Sequence, residues 1–145
     1  MKVHVNIDES LEESNITINC KEIDLEITRV IKNLQYNLSL QIKGYKEQKV
    51  FLVEPNDIVR FFAQNGYIYF DTLKNTYRCK ERLKELVDIL NDDFIRISNS
   101  EIVNIKMIKN LDMSLTSAIR INFINDTFTY VSRRFIKSLK NRIGL

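Results

Sequence analysis

The chain has 145 residues, of which 44% are apolar and 28% are charged. This composition is ordinary for a folded globular protein, and the length fits one domain with a short extension. No apolar run approaches the roughly 18 residues that a membrane-spanning helix requires. The N-terminus, MKVHVNIDESLEE, turns acidic at once and is unlike a secretory signal. We therefore expect a cytoplasmic protein in which the two cysteines, Cys20 and Cys79, are reduced.

The net charge of +3 conceals an uneven distribution along the chain. Residues 1–54 hold seven basic and nine acidic residues, whereas residues 55–145 hold fifteen and ten. Within the second part, residues 94–145 hold nine basic and three acidic residues. A basic C-terminal third attracts polyanions such as nucleic acids. A solvated basic face without a partner is the alternative explanation.

The first part of the chain predicts two strands, a helix and a third strand. Apolar and polar residues alternate over residues 3–7 and 16–20, as in half-buried strands. From Ile23 to Leu34 the apolar residues recur at helical spacing and form one stripe opposite charged side chains. Alternation returns over residues 38–42. Residues 44–48 are expected to join the two parts of the chain.

From residue 49 the pattern is mostly that of β-strands. Apolar runs and period-two alternation predict strands over residues 50–53, 58–63, 67–72, 76–79, 94–97, 119–123 and 128–130. Leu73-Lys74-Asn75 and Asn125-Asp126 lie between such strands and are typical of hairpin turns. Only two helices are expected in this part, near residues 80–90 and 132–143. Ser132 can cap the second helix.

Motifs for catalysis or metal binding are absent from the sequence. His4 is the single histidine and has no neighbouring ligand with which to share a metal ion. The sequence has neither a glycine-rich phosphate loop nor a nucleophile elbow. We therefore predict a protein that is not an enzyme and that uses no metal or cofactor.

The segment 132–142, SRRFIKSLKNR, contains five basic residues and no acidic residue. Arg133 and Arg134 fall in the first turn of the predicted helix, where the positive end of the helix dipole disfavours cations. DNA would compensate this cost through arginine contacts to guanine edges or phosphates. Pairing with carboxylates elsewhere in the chain is the alternative.

Two polar turns carry side chains that can read base edges. The loop Ser98-Asn99-Ser100 presents an amide that is both donor and acceptor. The tip Gln64-Asn65-Gly66-Tyr67 presents two more amides beside a glycine. Taken alone, each segment would be interpreted as an ordinary connecting turn.

Residues 94–108, FIRISNSEIVNIKMI, resemble the "FxRxxxSxxVNxxxI" signature of the LytTR family of DNA-binding domains. Residues 131–135, VSRRF, resemble the terminal "VSRRY" motif of that family, with Phe135 in place of the usual tyrosine. Upstream, DIVRFF at residues 57–62 and KERLKEL at residues 80–86 resemble the "DIxxIEA" strand and the "xxSLKELE" helix. The resemblance covers about residues 48–142, and its two main motifs have the correct order and spacing.

The resemblance implies an α+β, mostly β fold: an elongated stack of small antiparallel sheets with a short helix and a C-terminal helix. It also implies a bacterial transcription regulator that reads promoter direct repeats in double-stranded DNA through loops rather than a recognition helix. Asn99 and Arg134 are the implied base contacts, and Asn65 and Tyr67 are the candidates on a third loop. The expected contacts to the DNA backbone are Arg133, Lys137, Lys140, Ser100 and Arg78. Core positions are expected at Phe94, Ile97, Ile102, Val103, Ile105 and Ile108, with Asn104 bonded to buried backbone groups and Phe135 as an apolar anchor.

Residues 1–47 are expected to form a small α/β unit of two strands and a helix ahead of the DNA-binding domain at 48–145. This unit is too short for the phosphoacceptor receiver that better-known members of the family carry. We expect it to mediate homodimerisation or docking to a partner. Short stand-alone regulators of this type often accompany a small membrane protein, which is therefore an expected controller.

Two other functions are compatible with the residues. Tyr67, Tyr69 and Phe70 could stack on the bases of RNA or single-stranded DNA. However, Tyr67 and Tyr69 share one face of the predicted strand and Ile68 and Phe70 share the other, so one pair is expected in the core. The other alternative is a protein-interaction module that docks through its N-terminal helix.

Overall fold

The computed structural model describes the backbone of residues 1–145 and the side chains of residues 1–35 and 40–145. Three α-helices lie in this range: α1 (Leu25–Ser39), α2 (Leu83–Ile89) and α3 (Arg133–Ile143). The strands are β1 (Ile42–Lys46), β2 (Lys49–Val53), β3 (Ile58–Gln64), β4 (Tyr67–Thr72), β5 (Thr76–Cys79), β6 (Phe94–Ser98), β7 (Glu101–Asn104), β8 (Ile108–Asp112), β9 (Arg120–Phe123) and β10 (Phe128–Tyr130). Short 3₁₀ turns at Pro55–Asp57 and Ile105–Met107 lead into β3 and β8. The expected α+β, mostly β fold is confirmed, and α2 and α3 are the only α-helices after residue 47 in the described chain.

All strand pairs are antiparallel, and they form two sheets. The large sheet has seven strands in the order β2-β1-β5-β4-β3-β7-β6, and the small sheet has three in the order β10-β9-β8. This seven-stranded sheet is larger than the small sheets that were expected. It is larger because two strand pairings join neighbouring hairpins. Tyr45 of β1 pairs with Arg78 of β5, and Phe61 of β3 pairs with Ile102 of β7.

Apolar clusters lie on both faces of the large sheet. The first cluster includes Phe61, Phe70 and Leu86, and it packs one face of the sheet against α2. The second cluster packs the opposite face against the small sheet and α3 through residues such as Val103 and Phe123. The expected core residues of the signature divide between the two: Phe94 and Ile102 in the first, Ile97 and Val103 in the second, with Ile105 and Ile108 partly buried against the second.

Asn104 bonds to buried backbone groups, as the sequence predicted. Its side chain is buried, Nδ2 donates to the Ile58 carbonyl over 2.9 Å, and Oδ1 accepts from the Lys106 amide over 3.0 Å. A buried amide is costly unless it is bonded in this way. Asn104 therefore joins the end of β7 to the start of β3.

A buried ionic cluster links the two sheets. The Arg60 guanidinium donates to Asp71 Oδ2 over 3.0 Å and to a carboxylate oxygen of Glu101. The Thr129 hydroxyl, on β10 of the small sheet, donates to the other oxygen of Glu101, and the Thr76 hydroxyl donates to Asp71. The side chains of Arg60, Asp71 and Glu101 are 19%, 11% and 9% exposed. We name this group the Arg60 cluster; it connects β3, β4, β5, β7 and β10.

The two strands expected near the N-terminus are wrong, because residues 1–24 form neither helix nor strand. Val3, Val5 and Ile7 alternate as predicted, but they are 84–87% exposed. Alternation gives a segment one apolar face, whereas a strand also needs a neighbour that bonds its backbone. The helix is present as α1, capped by Asp24, whose Oδ1 accepts from the Ile27 amide over 2.9 Å. The third strand begins only at Ile42, because α1 continues to Ser39.

Residues 44–48 had been expected to form a junction between two parts of the chain. Gly44 instead lies within β1. The chain reverses three residues later, where Glu47 and Gln48 have φ values of 51° and 64°. Two successive positive φ values make the tight turn that suits a two-residue hairpin. Gly44 itself is required by space, since a Cβ built there would lie 2.7 Å from Phe70 Cζ and 2.8 Å from Tyr77 Cβ.

We predict that Gly44→Ala lowers the free energy of unfolding by about 1–3 kcal/mol, the usual cost of overpacking a core. The Cβ would press on the Phe70 ring and on the Cβ and Cγ atoms of Tyr77, which cannot move away freely because both side chains are buried in the first cluster. Urea unfolding would measure the change, with Lys49→Ala on the same hairpin as an exposed control. An unchanged unfolding midpoint for Gly44→Ala would contradict the close packing.

Candidate nucleic-acid interface

The first feature of the candidate interface is the signature loop, Ser98–Ser100, between β6 and β7. Arg96 holds its backbone: Nε donates to the Ser98 carbonyl over 3.1 Å, and Nη2 donates to the Asn99 carbonyl over 2.7 Å. The Ser98 and Ser100 hydroxyls are 3.2 Å apart, and the Ser100 amide donates to Ser98 Oγ. These bonds leave the Asn99 side chain exposed on an ordered loop.

The second feature is the α3 start, Ser132–Arg134, which is attached to the end of β6. The Ser132 amide donates to the Ile97 carbonyl over 2.9 Å. Ser132 occupies the N-cap position as predicted, but its hydroxyl makes no cap bond; its carbonyl accepts from Phe135 N instead. Arg134 Nη2 donates to Asn99 Oδ1 over 3.1 Å, so the two implied base contacts touch each other.

The third feature is the tip turn, Gln64–Tyr67, between β3 and β4. Asn65 and Gly66 have φ values of 51° and 81°, so this turn is also of the tight kind with two positive φ values. The Ala63 amide, just before it, donates to the Ser100 carbonyl over 2.8 Å. The tip turn and the signature loop therefore lie side by side at one end of the large sheet. We call this end the reading edge.

The expected backbone contacts of α3 begin beside the reading edge and continue along the helix, away from that edge. Arg133, Arg134 and Lys137 are exposed, and Lys140 is half-buried. A shallow, open depression on the surface of α3 is lined by Arg134, Lys137, Ser138, Asn141 and Arg142. Among the described side chains, none of the ion pairs includes Arg133, Arg134, Lys137 or Lys140. Their charges therefore remain available to an anionic partner.

Tyr67 and Arg78 form one unit beside the tip turn. The Arg78 guanidinium carbon lies 3.8 Å from the centroid of the Tyr67 ring, and both side chains are exposed. A cation over an aromatic ring is attracted by the electron density of its face. The Tyr67 ring therefore holds Arg78 at the surface, next to Asn65.

Sequence reasoning did not assign a role to two groups of residues that organise this interface. Arg96 is part of the signature, so its position in the motif could have suggested that it holds the loop. The Arg60 cluster left no local signal, because its members come from strands far apart in the sequence. Only the fold shows that they meet.

Other features of the described residues concern metal ions, membranes and thiols. They contain no group of three or more His, Cys, Asp or Glu side chains that could hold a metal ion, and no helix long and apolar enough to cross a membrane. Both cysteines are free thiols, Cys20 exposed and Cys79 buried. Burial and the nearby Glu81 raise the pKa of Cys79 to about 12, which keeps this thiol neutral near pH 7.

Comparison with solved structures gives a match to a LytTr DNA-binding domain of a putative methyl-accepting/DNA response regulator from Bacillus cereus. The TM-score is 0.71 at 21% sequence identity, over 74% of this chain and 99% of the other. At that identity the match establishes the shared fold.

Comparison of sequences gives two further results. Proteins named as HTH-type transcriptional regulators in Staphylococcus aureus strains MRSA252 and NCTC 8325 are 31% and 30% identical to this chain, over 100% of it and 99% of their own length. The family model of the LytTr DNA-binding domain matches residues 48–144. The chain belongs to the LytTR family of DNA-binding domains, as the motifs in its sequence predicted.

Proposed function

We propose that this protein is a transcription regulator that reads double-stranded DNA in a sequence-specific way. The readers are the signature loop, the α3 start and the tip turn, acting on direct repeats in promoters. The observation that carries the proposal is the 3.1 Å hydrogen bond between Asn99 and Arg134, residues 35 apart in sequence. It unites the two implied base contacts in one exposed patch.

The surroundings of Arg134 support its use as a base reader. One of the five N–H groups of the Arg134 guanidinium donates to Asn99 Oδ1. The guanidinium carbon of Arg134 lies 5.3 Å from the centroid of the Phe135 ring. The side chain is therefore oriented before DNA arrives, which reduces the entropy lost on binding. The remaining donors can form the two parallel bonds that arginine makes to the O6 and N7 atoms of guanine.

Positions around the patch support contacts to phosphates. Arg133 and Lys137 are exposed on α3, Ser100 is exposed within the signature loop, and Arg78 is exposed beside the tip turn. Contacts of this kind position a protein on DNA without reading its sequence. We assign Lys140, which is half-buried, to the same group.

The alternative of an RNA or single-strand binder is less well supported. Phe70 is fully buried in the first apolar cluster and cannot stack on a base. The Tyr67 and Tyr69 rings lie on the face of β4 opposite Phe70, and both already have neighbours. Arg78 covers Tyr67, and Phe62 stacks on Tyr69 with 5.8 Å between the ring centroids. The other alternative, docking through the N-terminal helix, stays open as an additional role for residues 1–39.

We further propose that residues 1–39 mediate homodimerisation or contact a small membrane protein that controls the regulator. The support is chemical: Val3, Val5, Ile7 and Ile16 are 64–87% exposed, and exposed apolar side chains gain stability by meeting a partner. A DNA target also implies that the protein acts in the cytoplasm, where bacterial DNA is located.

The specificity prediction concerns Arg134 and Asn99. Arg134→Ala should relax the preference at one base pair by about 1–3 kcal/mol, or roughly 5- to 150-fold, the worth of an arginine contact to guanine. Asn99→Ala should relax it less, and the double variant should lose less than the sum of both, because the two side chains are bonded. Selection of bound duplexes from a random pool, followed by affinity measurements, would test this.

Arg133→Ala is the matched control for Arg134→Ala. Its side chain is equally exposed, and we expect its loss to weaken all duplexes evenly. If Arg133→Ala changed base preference and Arg134→Ala did not, the assignment of the motif would be wrong by one residue. If neither did, the reading role of α3 would be refuted.

The salt prediction concerns the cations of α3. The logarithm of affinity should fall with the logarithm of salt concentration, by about 0.9 per phosphate contact. Lys137→Gln, and likewise Lys140→Gln, should reduce the slope by about 0.9 and weaken all sequences alike. Lys84→Gln, an exposed lysine on α2, should leave the slope unchanged. Equal slopes for all these variants would rule out the phosphate contacts.

The next prediction concerns the N-terminal part. A deletion should stop at residue 39, because Leu40 packs on the first cluster and β1 belongs to the large sheet. We expect the shortened chain to bind a single site as tightly as the full chain, which also shows that it folds. Binding to a paired site should weaken if residues 1–39 connect two protomers. Equal affinity for the paired site would exclude the dimer role.

A further inference from the structure

Two lysines continue the reading edge beyond the tip turn. Lys80 directly follows β5, and the pairing of Ile68 with Cys79 brings it beside Tyr67. Lys43 is on β1, two residues before Tyr45, which pairs with Arg78 of β5. Because strand residues two apart point to the same face, Lys43 and Tyr45 share the face of Arg78. Lys43 also lies toward the start of β1, which is at the reading edge because β1 and β5 are antiparallel.

Lys43, Arg78 and Lys80 form a row of cations beside the tip turn. Aromatic rings hold two of these cations at the surface. Lys80 Nζ lies 4.5 Å from the centroid of the Tyr45 ring, and the Arg78 guanidinium carbon lies 3.8 Å from that of Tyr67. A ring under a cation restrains it while leaving most of its N–H donors directed to solvent. All three side chains, Lys43, Arg78 and Lys80, are exposed, so their charged groups can contact an extended ligand.

The positive charges of this row lie outside the ion pairs of the described side chains. None of the ion pairs there includes Lys43, Arg78 or Lys80. The acidic neighbour Glu81 accepts a hydrogen bond from Cys79 Sγ over 2.8 Å, and Cys79 belongs to the first apolar cluster on the opposite face. The row therefore presents positive charge, continuous with the reading edge.

We propose that Lys43 and Lys80 bind backbone phosphates of the same DNA duplex, beyond the base pairs that the tip turn reads. The inference rests on the proposed function and extends its footprint. Strands β4 and β1 are two strand spacings apart, about 10 Å at roughly 4.8 Å per spacing. That distance corresponds to about three base pairs of duplex at roughly 3.4 Å each. The ligand is thus the flanking duplex on the side away from Arg134.

The test compares duplexes that differ only in length. Each contains one recognition site, and the base pair whose preference changes in Arg134→Ala marks one end of it. The first duplex is extended by ten base pairs beyond the opposite end, the second is extended at the Arg134 end, and the third has no extension. On the first duplex, Lys43→Gln combined with Lys80→Gln should reduce the salt slope by about 1.8, two phosphate contacts at about 0.9 each. On the other two duplexes the double variant should match the wild type.

The control removes the same charge from the same protein at other places. Lys49→Gln combined with Lys84→Gln alters the far end of the β1–β2 hairpin and the surface of α2, and its slope should be that of the wild type on every duplex. An unchanged slope for Lys43→Gln with Lys80→Gln on the first duplex would overturn the inference, as would an equal reduction on all three. Tight, sequence-specific binding of the short duplex in those cases would leave the proposed function intact. If the wild type did not bind the short duplex tightly and sequence-specifically, the proposed function itself would be refuted.

Discussion

The Arg60 cluster is the interaction on which the arrangement of the interface depends. Buried charges are costly, and they are tolerated only where each is paired and its remaining lone pairs or donors are bonded. Here Arg60 meets two carboxylates, and the hydroxyls of Thr76 and Thr129 bond to those carboxylates in turn. Removing one member would leave a buried charge without its partner, which costs roughly 3–5 kcal/mol in comparable sites. The two sheets are therefore held in one relative position by bonds that are directional, whereas the apolar contacts of the second cluster are not.

The relative position of the two sheets matters because the signature loop, the tip turn and the α3 start each lie close in sequence to a member of the Arg60 cluster. Glu101 directly follows the signature loop, Arg60 lies on the strand that leads to the tip turn, and Thr129 is three residues before Ser132. Three further hydrogen bonds complete the connection, from Ala63 to Ser100, from Ser132 to Ile97 and from Arg134 to Asn99. Loops that are ordered before DNA arrives lose less entropy when they bind it. The interface thus consists of turns, yet its geometry is fixed by strands.

The sequence predicted what depends on local pattern. Period-two alternation located most strands after residue 49, helical spacing located α2 and α3, and the motifs identified Asn99 and Arg134, which do meet. It failed where the outcome depends on a partner distant in sequence. Val3, Val5 and Ile7 have the pattern of a strand but no neighbouring strand, and Gly44 marks a close approach to Phe70 and Tyr77 rather than a junction. The Arg60 cluster was missed for the same reason, since Arg60, Asp71 and Glu101 carry no pattern until β3, β4 and β7 are paired.

The packing of α3 determines which of its side chains can face a partner. Leu139 is fully buried, and Phe135, Ile136 and Ile143 pack against the second cluster, so one side of the helix along most of its length is part of the core. Arg142 Nη1 donates to the Asp92 carbonyl over 2.6 Å and fixes the far end of α3 to the segment between α2 and β6. In the described chain, α2 and α3 are separated by five strands and cannot form a helix-turn-helix pair, although the Staphylococcus aureus relatives are named as that type. What α3 can offer to DNA is its first turn with Arg133 and Arg134 and the exposed side that carries Lys137, and the bond from Arg134 to Asn99 joins that turn to the signature loop.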